Sequence, residues 1–222
     1  MRIRRKKHLE ERIRAAEGIL LTACQDIHNV KEAVEDKRYI DFAELFKRRA
    51  PVYMEIGCGK GGFACKVCAA NKDINYLAVE LLSNIAVTGA ERAKEEGINN
   101  LRFFVCGADY LARYVKPASL SRIYLNFSPP YPGLRYENRR LTKPALIADY
   151  AVFLKSGGEV FLKTDDRAFF EYSFGTLKAG GFAVKDISAE LPLKEYPSTE
   201  YETKFRAQNI PVYALFAKKI SL

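Results

Sequence analysis

The chain has 222 residues, 48% of them hydrophobic, enough for one α/β domain with a proper core, and it holds no run of 18 apolar residues. Its amino terminus is basic and lacks an apolar h-region, so the sequence predicts neither a membrane span nor a secretion signal. The net charge of +9 is uneven: residues 1–14 carry Arg2, Arg4, Arg5, Lys6, Lys7, Arg12 and Arg14 against Glu10 and Glu11, more than half the excess. Such an arm is a common phosphate-binding device and also a common solubility feature.

Residues 1–50 read as this basic arm followed by a helical extension. Leu9, Ile13 and Ala16 share one face, and Phe42, Leu45 and Phe46 precede Lys47-Arg48-Arg49 and Pro51. From 51 to 222 one domain is predicted. An apolar run, Val52 to Ile56, ends in Gly57-Cys58-Gly59-Lys60-Gly61-Gly62, and Phe63, Ala64, Val67 and Cys68 then follow at helical spacing. That is strand, tight turn and helix, with glycines that let a ligand approach the backbone and a helix N-terminus offering unpaired N–H groups. Neither the phosphate-loop pattern nor the dinucleotide fingerprint fits it. Glu55, two residues before the first glycine, would repel a pyrophosphate but suit a cationic ligand such as S-adenosylmethionine. Glu80 ends the next apolar run, Tyr76 to Val79, where it could accept two ribose hydroxyls. The bland alternative makes the glycines a plain turn and Glu80 a solvated strand end.

Five cysteines, at 24, 58, 65, 68 and 106, are an odd number in a chain large enough to do without disulfides, which fits a reducing cytoplasm. Cys65-x-x-Cys68 stands alone and the only histidines are His8 and His28, so no metal is expected. The second strand lies near 74–80, and Ser83 is the expected cap of a helix stopped by Gly97. A third strand, Leu101 to Cys106, leads to Gly107-Ala108-Asp109. A fourth, Arg122 to Asn126, leads to Phe127-Ser128-Pro129-Pro130. Thr142 is the expected cap of a helix with Pro144 in its first turn, ended by Gly157-Gly158. A fifth strand from Glu159 to Lys163 leads to Thr164-Asp165-Asp166, then a helix from Arg167 to about Lys178, and two strands near 182–188 and 212–218 close the chain. Alternation of this kind implies a mostly parallel seven-stranded sheet with helices on both faces, its ligand beyond the carboxyl ends of the strands. The connection from Ala189 to Pro211 is too long for an idle loop.

Taken together, Glu55 to Gly61, Val79-Glu80, Tyr124 to Pro132 with Arg135, Glu137, Arg139, Arg140 and Leu141, Lys163-Thr164-Asp165, and Thr199-Glu200-Tyr201-Glu202 through Lys204-Phe205 resemble the bacterial tRNA (guanine-N7)-methyltransferases over nearly the whole chain. The resemblance implies a Rossmann-like class I methyltransferase, cytoplasmic, a monomer or homodimer, that uses S-adenosylmethionine to methylate guanine 46 in the variable loop of tRNA. Residue by residue it implies cofactor contacts at Glu55, Gly57, Gly59, Gly61, Glu80, Gly107, Asp109, Asn126 and Pro129. It implies substrate contacts at Arg135, Arg139, Arg140, Asp165, Thr199, Glu200, Tyr201 and Glu202, with Asp165 the catalytic candidate. Three departures stand out. The family continues Asn-Phe-Ser with Asp-Pro where this chain has Pro129-Pro130, Gly107 aligns with a commonly acidic position, and Gly133-Leu134 replace residues that are often basic. A silent tRNA-binding homologue and a small-molecule methyltransferase are the competing readings.

Overall fold

The structure is a computed structural model that describes residues 7–23, 26–191 and 196–220, so Arg2, Arg4, Arg5 and Lys6 of the basic arm, Cys24, and residues 192–195 of the long connection lie outside the described residues. The amino-terminal extension is built from α1 (Leu9–Ala15), β1 (Leu20–Thr22), α2 (Val30–Glu35) and α3 (Phe42–Phe46). Then strands and helices alternate: β2 (Val52–Ile56), α4 (Gly62–Ala70), β3 (Asn75–Glu80), α5 (Ser83–Glu95), β4 (Leu101–Val105), α6 (Leu111–Tyr114), β5 (Leu120–Asn126), α7 (Pro144–Phe153), β6 (Leu154–Thr164), α8 (Arg167–Ala179), β7 (Phe182–Asp186), α9 (Glu200–Ala207) and β8 (Tyr213–Lys219). No helix among the described residues is long and apolar enough to cross a membrane.

The eight strands of the described residues form one sheet in the order β1-β4-β3-β2-β5-β6-β8-β7. β8 runs antiparallel to both β6 and β7, and the other pairs are parallel. The central strands are buried on both faces, which is why β3 reads as an unbroken apolar run rather than as an alternation. From β2 the chain winds outward through β3 and β4, then returns to place β5 on β2's other side. The switch point therefore falls between β2 and β5, and a crevice must open beyond their carboxyl ends.

The strand missing from the seven-stranded expectation is β1. It pairs Leu20 with Phe103 and Thr22 with Val105, so part of the extension belongs to the sheet. A three-residue edge strand is too short to show a period. The extension is tied on by charge as well. Arg12 grips Glu91 of α5 through two bonds of 2.6 and 2.5 Å, and the buried Arg113 of α6 holds Asp26 at 2.9 Å and Asp36 at 2.6 Å.

Some expected caps move. Ser83 is the first residue of α5 rather than its cap, and the Leu82 N–H goes to Glu80. Thr142 is buried against Ser173, its hydroxyl 2.8 Å from that of Ser173, and α7 starts at Pro144 behind Lys143. That helix ends at Phe153, before the two glycines, because Leu154 already pairs with Leu120 in the sheet. Gly97, with φ 63°, does terminate α5.

The turn after β2 depends on one close approach. Gly61 has φ 71°, and a Cβ there would lie 2.5 Å from the Phe103 ring. Gly61→Ala is therefore expected to cost about 2–4 kcal/mol, from the left-handed backbone and from overpacking together. A urea unfolding midpoint unchanged from the parent would refute it.

Candidate functional site

Beyond β2 and β5 lies a cavity of about 550 Å³. Its floor is the turn after β2, where Gly57 (φ 82°) and Gly59 (φ 56°) take conformations that side chains disfavour. Glu55 enters from β2 and is only 2% exposed. Its Oε1 accepts from Asn126 Nδ2 at 2.8 Å and its Oε2 from the Tyr76 hydroxyl at 3.4 Å. Burial pushes the Glu55 carboxyl up to about 7, against the pull of those two donors. Asn126 is held on its other side by the Tyr196 hydroxyl, which donates to Oδ1 at 2.8 Å. The amide thus has a fixed orientation: its NH₂ faces the carboxylate and its oxygen faces the tyrosine.

Glu80, at the end of β3, also lines the cavity and accepts the N–H groups of Gly59 and Leu82, each at 3.0 Å. Opposite, Phe127 and Pro129 follow β5. Phe127 sits at φ 49°, and its ring lies 6.0 Å from that of Tyr201 and 5.5 Å from that of Phe205. The fourth side comes from the long connection, which brings Thr199, Glu200, Tyr201 and Lys204 to the cavity. Thr199 caps α9, accepting the Glu202 N–H at 2.9 Å.

The predicted residues separate into groups. Glu55, Gly57, Gly59, Glu80, Asn126, Pro129, Thr199, Glu200 and Tyr201 meet around one cavity. Gly61 lies behind the turn, against Phe103. Gly107 lines a second, smaller cavity of about 230 Å³, between Leu81 and Tyr110, with Ile27 and His28 of the extension on its far side. Asp109 pairs with Lys143 at 2.5 Å. Asp165 is exposed just past the end of β6 and is not part of the cavity wall. Arg140 braces the loop after β5, donating to the carbonyls of Pro130 and Tyr131 at 3.1 and 3.2 Å while lying over the Tyr172 ring. Arg135 and Arg139 are exposed and flank Tyr136, 4.5 and 5.3 Å from its ring centre. Glu202 faces away from the cavity and pairs with Lys163 at 2.7 Å, both side chains fully buried.

Sequence reasoning missed Lys60, Phe127 and Lys204 on the cavity wall, and Tyr196 behind it. Lys204 and Phe127 carried a signal, since both stand inside polar or aromatic clusters at element ends. Tyr196 carried none, because its role depends on a residue 70 positions away. Chemically, the site offers a buried carboxylate for a cation, a second carboxylate at a strand end for paired hydroxyls, and aromatic faces at its mouth.

Comparison with known proteins bears directly on this arrangement. A family model described as "Putative methyltransferase" matches residues 49–215. The tRNA (guanine-N(7)-)-methyltransferase of Listeria monocytogenes serotype 4b (strain F2365) is 33% identical over 221 residues, covering 98% of both chains. That of Clostridioides difficile (strain 630) is 34% identical over 222 residues and 99% of both. Among solved structures, the 16S rRNA methyltransferase KamB superposes with a TM-score of 0.62 at 13% identity, covering 83% of this chain and 96% of that one. At that identity the likeness speaks for the sheet and its helices only.

Proposed function

We propose that this chain, which belongs to the tRNA (guanine-N7)-methyltransferase family, methylates N7 of guanine 46 in the variable loop of tRNA with a methyl group from S-adenosylmethionine, in the cytoplasm, as a monomer or homodimer. One observation carries the cofactor assignment: a buried carboxylate, Glu55, in a cavity whose floor is glycine backbone and whose neighbouring strand ends in a second carboxylate, Glu80. The donor set fits that cofactor. Bound there, it supplies a methyl group on a positively charged sulfur, ready for transfer.

Glu55 holds the cationic methionine end, kept in place by Asn126, which Tyr196 in turn orients. Glu80 is in position to exchange its bonds to backbone N–H groups for ribose hydroxyls. Gly107 with Leu81 receives the nucleobase end, and Asp109 stands at its rim. On the acceptor side, Tyr201 and Phe127 offer faces on which an extruded base can stack. Asp165 takes guanine N–H donors at the rim, and Glu200 faces the ring that becomes positive. Guanine N7 carries a lone pair and no proton, so no general base is required and alignment in line with the methyl is the main task. We assign residues 1–50 to tRNA attachment and 51–222 to catalysis.

Labelled S-adenosylmethionine and unmodified tRNA, with digestion to nucleosides, should yield 7-methylguanosine. tRNA binding without product would favour the silent homologue, and cofactor binding without tRNA binding would favour a small-molecule enzyme. Arg135 and Arg139 should meet phosphates rather than bases. Changing both to Gln is expected to reduce the log–log salt dependence of tRNA affinity by roughly 1.4 to 1.8, at 0.7 to 0.9 per phosphate. An unchanged slope would make them solvated arginines and nothing more.

A further inference from the structure

Glu202 belongs to the segment that walls the cavity, yet it has no exposed surface at all. Its Oε2 lies 2.7 Å from Nζ of Lys163, and its Oε1 accepts from Nε of Arg206 at 3.0 Å. Lys163, on β6, is equally buried. Its remaining donors go to the carbonyls of Tyr196 at 3.3 Å and Pro197 at 3.2 Å, and the ammonium lies 3.8 Å from the centre of the Tyr196 ring. An ammonium has three N–H groups, and here each has an acceptor.

A pair buried this deeply gains little net stability, because the loss of hydration offsets the attraction. What it fixes is therefore the better guide to its purpose. Every partner of the Lys163 ammonium lies between Tyr196 and Glu202, the stretch that enters and starts α9. At its start the stretch is also anchored by the buried Tyr196, through Asn126 at 2.8 Å and the rings of Phe63, Tyr124 and Phe161. Past Pro197 the other ties are lighter: Lys66 Nζ donates to the Ser198 carbonyl at 3.0 Å, and the exposed Glu200 meets Arg92 at 3.4 Å. Lys163 is also next to Asn126 in the register of β5 and β6, so the same rung of the sheet orients the Glu55 amide partner and docks the opposite wall.

We propose that Lys163 and Glu202 are positioning residues for methyl transfer: a buried ion pair that docks α9 on the sheet so that Thr199, Glu200, Tyr201 and Lys204 form one wall of the cavity. The inference rests on the methyltransferase reading above. It gives Glu202 a task distinct from the substrate contact that the family resemblance implies, since a carboxylate sealed between Lys163 and Arg206 has no face left for a guanine.

Three variants test it: Lys163→Met, Glu202→Gln, and Lys163→Met combined with Glu202→Leu. Each single change strands a buried charge or leaves its partners unmatched. Each should lower kcat/KM for tRNA by about tenfold or more and speed amide exchange in residues 200–207 to a similar degree. The charge-free double should recover to within about threefold of the parent, because both stranded groups are gone. A double variant as inactive as the worse single, with α9 still protected, would overturn the proposal and return Glu202 to the substrate. Singles with parental activity and protection would overturn it too, as would deprotection spread evenly over β2 to β6. Exchange needs no turnover, so it decides the docking role even if the parent protein fails to methylate tRNA. That failure would count against the functional reading alone.

Discussion

Glu55→Gln is expected to weaken S-adenosylmethionine binding at pH 8 by roughly 10- to 100-fold, the worth of a hydrogen-bonded charge contact of about 1.5–3 kcal/mol. The substitution preserves shape. Its amide oxygen can accept from Asn126, and its NH₂ can donate to the Tyr76 hydroxyl, which turns to accept. What it removes is the negative charge, and the pH profile should show this. In the unliganded protein burial holds the Glu55 carboxyl up at about 7, so below that pH it is protonated and a cation gains little. Cofactor affinity should therefore rise with pH, by up to about tenfold per unit below 7, and level off above it. In Glu55→Gln that rise should be absent.

The same shift has a consequence for stability, and its sign is opposite. A folded-state carboxyl raised from 4.5 to about 7 keeps a proton that the unfolded chain has already lost. Its contribution is complete below the ordinary value and disappears as pH rises through 7, a loss on the order of 3 kcal/mol. Unliganded Glu55→Gln should therefore melt higher than the parent at pH 8 and gain less from added cofactor. An affinity within threefold of the parent with the parental pH slope would remove Glu55 from the cofactor site.

Glu55 was legible in the sequence because a strand exit, a glycine turn and a carboxylate two residues earlier are all local. Glu80 and Asn126 were legible for the same reason, and the parallel sheet put all three at one crevice. What was not legible depends on distant partners. β1 has three residues and gains its place only from β4. Glu202 reads as one more carboxylate in a polar cluster until Lys163 faces it. Gly107 follows β4 and lines the second cavity together with Leu81, while Asp109 turns to Lys143, and no spacing rule reports which way the chain turns after β4. Gly61 was read as a ligand glycine, and its close contact is with Phe103, 42 positions on, a packing demand that only the folded sheet creates.

Glu200→Gln is expected to lower turnover by roughly 10- to 100-fold while leaving cofactor affinity nearly intact. Methyl transfer to N7 makes the guanine ring positive, and a carboxylate aimed at it stabilises that charge in the transition state. Removal of one such preorganised group typically costs about 10² to 10³, and exposure of the side chain reduces the figure through solvent screening. Among the described residues three carboxylates border the cavity. Glu55 is committed to Asn126 and Tyr76, and Glu80 to two backbone N–H groups. Pro129, where the family carries an acid, supplies none. Of these Glu200 remains, 62% exposed and paired with the half-exposed Arg92 at 3.4 Å, which leaves it able to turn toward the acceptor. Asp166 cannot substitute, since it caps α8 by accepting the Phe169 N–H at 2.7 Å. Placing the acid back at its usual position, as Pro129→Asp in the Glu200→Gln background, should then recover much of the lost turnover. Turnover within threefold of the parent in Glu200→Gln would mean that alignment alone carries the reaction, and that a proline at 129 is tolerated because no carboxylate is needed there.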